Sequence, residues 1–104
     1  MIWYNYVACL FAGIFLANAV PHFIHGISGN RFPTPFAKPP GKGLSSPMTN
    51  ILWAFFNIIV GIFLLWFGIV KECTLFTLAV IVFGAFIISI ILSIRFQNKD
   101  KEVG

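Results

Sequence analysis

The residues best placed for chemistry lie in one short run: Asn18, Ala19, Val20, Pro21, His22, Phe23, Ile24, His25, Gly26. On a helix that continues through Pro21, Asn18, His22 and His25 share a face by i, i+4, i+7 spacing. Proline lacks an amide donor and frees the carbonyl of Ala17, which predicts a kink, and Gly26 suits a helix C-terminus. Two imidazoles in such a place admit four roles. They can cap the last carbonyls, where a helix end favours positive charge. With Arg31, Lys38 and Lys42 they can bind an anionic lipid headgroup or an acidic protein surface. As metal or haem ligands they form an incomplete set that only a symmetric oligomer completes, because no cysteine or carboxylate is expected beside them. A proton relay is the weakest of the four. No metal and no cofactor are expected.

The same region holds all 6 prolines and both histidines of the chain, between positions 21 and 47. Arg31-Phe32-Pro33-Thr34-Pro35-Phe36-Ala37-Lys38-Pro39-Pro40 reads as extended, polyproline-like backbone bearing rings and cations. Gly41-Lys42-Gly43 then predicts a flexible turn. A P-loop is excluded, since its first glycine is absent and Gly43 follows the lysine where Ser or Thr is required. Phe32 and Phe36, four residues apart beside Arg31 and Lys38, suggest a loop that packs across the bundle end or places rings at an interface. The candidate binding residues are therefore Asn18, His22, His25, Arg31, Phe32, Phe36, Lys38 and Lys42.

Catalysis finds little material. The chain has 3 acids, Glu72, Asp100 and Glu102, all expected far from the histidines. No nucleophile, base and orienting group fall together. A non-catalytic protein is expected.

The elements that must position this region are apolar. Of 104 residues, 59% are hydrophobic and 10% charged, against about 25% charged in a soluble domain. Runs 1–23, 48–70 and 74–94 contain no acid, lysine or arginine, and each reaches the ~20 residues that cross ~30 Å of hydrocarbon. The expected fold is an all-α integral membrane protein. Helix 1 spans about 2–25, the Pro/Gly-rich loop 26–46, helix 2 about 47–70, helix 3 about 74–96 and a frayed, solvated tail 97–104, in a single membrane domain. The short 71–73 connection predicts a tight antiparallel hairpin of helices 2 and 3. Ser46 at the N-cap and Pro47 at N1 open helix 2. Ala17-Asn18-Ala19 has the form of a signal-peptidase site, but no basic residue precedes it, so helix 1 reads as an uncleaved anchor.

Charge sets the orientation. Arg31, Lys38, Lys42, Arg95, Lys99 and Lys101 fall on the loop-and-tail side and only Lys71 opposite, which predicts that loop and tail face the cytoplasm with the N-terminus outside. A bacterial inner membrane suits this pattern. Trp3, Tyr4, Tyr6 and Trp66 anchor the outer interface and Trp53 the inner one. Cys9 and Cys73 both belong to the outer end. They read as apolar filler rather than a zinc or redox pair, though a disulfide is open if the Cα atoms approach within ~7 Å.

Small and amide side chains mark the seams. Ala54, Gly61 and Gly68 repeat every seven residues beside Asn50, Asn57 and Leu64. Helix 1 offers Ala8, Ala12, Gly13, Ala17 and Ala19; helix 3 offers Gly84 or Ala85, Ser89 and Ser93. Helix packing is the preferred reading of these stripes over a pore lining. Asn57 lies near mid-membrane and requires a partner, because an unpaired amide there costs several kcal/mol. A three-helix unit gains little from burial in lipid, so a homo-oligomer or a larger membrane-protein partner is expected, together with anionic headgroups and no nucleic acid. The function expected is a non-catalytic subunit or binding module acting through the basic loop. The alternative is a small homo-oligomeric channel or carrier with Asn57 and the helix 2 glycines at its pore.

Overall fold

The computed structural model describes residues 2–100. Three helices, each long and apolar enough to cross a membrane, account for most of them, and no strand occurs among the described residues. α1 is Trp3–Ile27, α2 Pro47–Ile69 and α3 Leu75–Arg95, followed by a 3₁₀ turn at Phe96–Asn98. At ~1.5 Å per residue the 25 residues of α1 reach about 37 Å, within a particle 50 Å long.

Local signals explain each boundary. α1 runs unbroken through Pro21 and past Gly26. Its terminator is Gly29, whose φ of 76° is the left-handed conformation that glycine accepts without strain. The amide of Gly29 donates to the carbonyl of Gly26 and that of Asn30 to His25, the paired bonds of a Schellman close. Gly26 therefore does not end the helix. It is buried against Ile51, where a β-carbon would lie 2.7 Å from the Ile51 side chain. α2 opens on Ser46, whose hydroxyl accepts from the Thr49 amide, with Pro47 at the first position. α3 opens on a reciprocal pair: Thr77 N–H donates to the Thr74 hydroxyl and Thr74 N–H to the Thr77 hydroxyl.

The helices pack differently from the expected tight hairpin of helices 2 and 3. α1 is central, antiparallel to α2 and parallel to α3, while α2 and α3 scarcely touch. The reason lies in α1, which carries small residues on two faces. Asn5, Cys9 and Leu16 meet Gly68 and Gly61 of α2. Leu10 and Gly13 meet Gly84, Ile81 and Ala85 of α3. The connection at 70–74 reaches ~17 Å when extended, enough to pass α1 without pairing the helices it joins.

Backbone contact is closest at the α1–α3 seam. A β-carbon on Gly84 would overlap the carbonyl oxygen of Leu10, and one on Gly13 the carbonyl oxygen of Ile81. Ser89 and Ser93 take no part in this seam. Both are exposed and donate to carbonyls of their own helix, Ala85 and Ile90. Cys9 is buried at the α1–α2 seam, whereas Cys73 is a free thiol exposed in the turn and not apolar filler.

Candidate functional site

The loop, residues 28–46, is a folded cap on one end of the bundle, and one side chain organises it. Asn50 is fully buried at the first turn of α2. Its amide nitrogen donates to the carbonyls of Phe32 at 2.9 Å, Ser46 at 3.0 Å and Ser45 at 3.3 Å. Its oxygen therefore acts as the acceptor, and lies 2.8 Å from Nδ1 of His22 on α1. A single amide thus joins α1, the loop and the start of α2.

Backbone pairing closes the loop on itself. Phe32 and Ser45 exchange N–H···O bonds as an isolated antiparallel bridge. The Thr34 and Ser45 hydroxyls are 2.6 Å apart, and Thr34 Oγ1 accepts from the Phe36 amide. The carbonyl of Thr34 takes the amides of Ala37 and Gly41. Gly41, with φ 72°, makes the reversal that leads back to α2. Gly41-Lys42-Gly43 is thus a bonded turn.

Aromatic contacts fill the space beneath. Phe32 stacks on His25 with ring centroids 4.2 Å apart, and meets His22 and Phe96 edge-on. It was expected on the binding face, but it is 4% exposed and holds the loop down from inside. A polyproline reading assigns no inward side, which is why the sequence left its direction open. Phe36 points outward, 65% exposed, with one edge on Trp53. Lys38 and Lys42 are exposed as well.

The tail corrects a second expectation. The 3₁₀ turn folds the chain back over the loop, so that the amide of Asp100 donates to the Lys42 carbonyl. Asp100 lines a shallow hollow with His25, Arg31 and Phe32, so this face is not free of acids and the described part of the tail is not frayed. Lys101 and Glu102 lie outside the described residues.

Deeper in, the space left between α2 and α3 forms a cavity of about 240 Å³ under the loop. Its lining includes Asn18 and His22 of α1, Trp53 of α2, the exposed Arg95 at the end of α3, and Pro33-Thr34 and Pro40-Gly41 of the loop. The structure therefore divides the candidate binding residues. Asn18 and His22 meet in the cavity, His25, Arg31 and Phe32 border the hollow, and Phe36, Lys38 and Lys42 stand outside. Trp53 and Arg95 were legible only as an interfacial ring and a basic flank. Among the described residues no cluster of three His, Cys, Asp or Glu side chains could hold a metal ion.

The stripe of α2 faces α1. Asn50, Ala54, Asn57, Gly61 and Gly68 are all buried, as is Gly84 on α3. Asn57 accepts from Asn18 Nδ2 at 3.1 Å and donates to the carbonyl of Trp53 at 2.8 Å. Asn5 donates to the Phe67 carbonyl at the opposite end of the seam. No protein-family model matches the chain, and no curated protein or solved structure is similar to it.

Proposed function

We propose that the chain is a non-catalytic binding module of a bacterial inner membrane, with its N-terminus outside and its loop and C-terminus in the cytoplasm. The observation that carries this reading is the loop's construction. Its inner side is closed by Asn50, Phe32 and the Phe32–Ser45 bridge, while Phe36, Lys38 and Lys42 remain exposed on the folded loop. A preorganised surface loses little entropy on binding, which suits recognition better than linkage. Cations beside an exposed ring fit anionic headgroups at a membrane interface, or the acidic surface of a larger membrane protein. The outward apolar side of α3, which buries only Thr77 and Gly84, offers a further contact for lipid, for a larger partner or for a second copy.

A channel or carrier built on Asn57 and the α2 glycines has less support. Those residues face α1 within one chain, and both ends of the Asn57 amide are already bonded.

Orientation has a built-in control. Cys73 is exposed at the turn end and Cys9 is buried. An impermeant maleimide added to intact cells should label the native chain at Cys73. In a Cys73→Ser background, Lys42→Cys should stay unlabelled until the cells are opened. Labelling of Lys42→Cys from outside rejects the orientation. For the loop, Arg31→Ala with Lys38→Ala should leave insertion intact and weaken binding to anionic vesicles about 30-fold, since each of the two cations near such a surface is worth ~1 kcal/mol. Unchanged vesicle or partner association removes the recognition role.

A further inference from the structure

The cavity beneath the loop presents an unusual set of polar atoms once its hydrogen bonds are assigned. The Asn50 nitrogen donates to three carbonyls, so its oxygen accepts and His22 Nδ1 must carry the proton. A ring this enclosed, in a space whose lining holds no acid, suits the neutral form, whose lone pair is on Nε2. His22 is 2% exposed and its Nε2 bonds to nothing among the described residues, yet no fully buried side-chain nitrogen or oxygen there lacks a partner. Nε2 therefore keeps some accessible surface, and the 240 Å³ cavity is an opening that His22 borders.

Asn18 repeats the pattern. Its nitrogen donates to Asn57, which leaves the carbonyl oxygen of this lining residue as a second acceptor. At the rim stands Arg95, whose guanidinium passes over Gly41 and pairs with no carboxylate among the described residues. Trp53 and Phe96 supply apolar walls.

Two inward acceptors and one cation at the rim select a ligand with donors at its tip and an anion behind them. A simple carboxylate lacks the donors, inorganic phosphate carries its hydroxyl on the same phosphorus as its charge rather than ahead of it, and a neutral sugar lacks the anion. An ammonium at the tip would enter a space with no acid and an arginine at its mouth. Hydroxyls on a phosphodiester satisfy every atom. The volume holds about eight waters at ~30 Å³ each, enough for a group of that size. We infer that this cavity binds the phosphoglycerol headgroup of an anionic lipid, with its hydroxyls on Asn18 Oδ1 and His22 Nε2 and its phosphate on Arg95. The inference rests on the membrane reading above, since it needs the loop end at headgroup depth.

Binding to the full chain in neutral detergent, read by native mass spectrometry and Trp fluorescence, tests it independently of topology. Phosphatidylglycerol should bind about tenfold more tightly than phosphatidylmethanol, which has the same charge and no hydroxyl donors; one lost pairing of ~1.4 kcal/mol gives that factor. Arg95→Gln should weaken phosphatidylglycerol at least tenfold. Asn18→Ala should reduce the preference for phosphatidylglycerol while keeping the charge-dependent part. Equal binding of the two lipids, or an unaffected Arg95→Gln, overturns the site. A preference for phosphatidylethanolamine overturns the hydroxyl assignment, and equal affinity for free glycerol 1-phosphate overturns the lipid source. Headgroup selectivity in detergent alongside outside labelling of Lys42→Cys would reject the orientation and leave the cavity's ligand standing.

Discussion

Asn50→Leu should release the loop while the three helices stay formed. Leucine keeps the branched skeleton of asparagine but removes four hydrogen-bonding contacts, to Phe32, Ser45, Ser46 and His22. The carbonyls keep other partners: Phe32 O and Ser45 O retain their mutual bridge, and Ser46 O the first helical bond of α2. His22 Nδ1 keeps none, and a buried donor left unpaired costs about 1–3 kcal/mol beyond the bonds lost. Together these favour opening by about 2–3 kcal/mol, roughly 30- to 150-fold in the loop's closed-to-open ratio. Hydrogen exchange at the amides of Phe32, Gly41 and Ser45 should quicken by that factor, with α2 amides beyond Ala54 unchanged. Loop exchange that stays slow would show that the cap is held by its rings and bridge alone. Thr34→Val, which loses only the hydroxyl contacts to Ser45 and Phe36, should give a smaller step in the same direction.

Gly84→Ala should detach α3. In an exposed helix this exchange helps by up to ~1 kcal/mol, because alanine restricts the unfolded chain and favours helix. Here the added methyl would sit on the Leu10 carbonyl, a backbone atom that cannot rotate away. The helices must separate, and apolar surface offers no restoring force where lipid is as good a solvent as a neighbouring helix. A loss of about 2–3 kcal/mol is expected, in the range of overpacked cores. Thermal unfolding in mild detergent should show it, together with reduced contact between Tyr6 and Phe76, whose rings meet at 5.2 Å at the turn end. Gly13→Ala should behave alike. Ser89→Ala, exposed one turn from the seam, should change stability by less than ~0.5 kcal/mol. Equal stability of Gly84→Ala and Ser89→Ala would mean that the glycine seam is not what holds α3.

These expectations separate what the residues announce from what only packing decides. Helix extents and the Ser46-Pro47 opening follow from local chemistry and could be read directly. Which helices pair could not, because a short connection ordinarily joins neighbours and here α1 offers two small faces to competing partners. Asn50 stood in the α2 stripe as one packing residue among several; its role depends on carbonyls 5 and 18 residues away, brought within reach only by the Phe32–Ser45 bridge. The same bridge turns Phe32 inward, which no proline spacing encodes. Asp100 reached the loop through a 3₁₀ turn whose sequence, Phe96-Gln97-Asn98, carries no strong stop or start signal. The cavity, finally, exists because α2 and α3 stand apart, and an unfilled space leaves no mark in a list of residues.

That separation also bears on the order of synthesis. Nearly every polar bond that shapes the cap lies within residues 18–57, and the α1–α2 seam is complete once Gly68 has left the ribosome. α3 adds no hydrogen bond between its own side chains and α1 or α2 among the described residues, and joins through its glycine contact afterwards. The residues that build the cap thus precede α3 along the chain, and α3 gives the cavity its second wall.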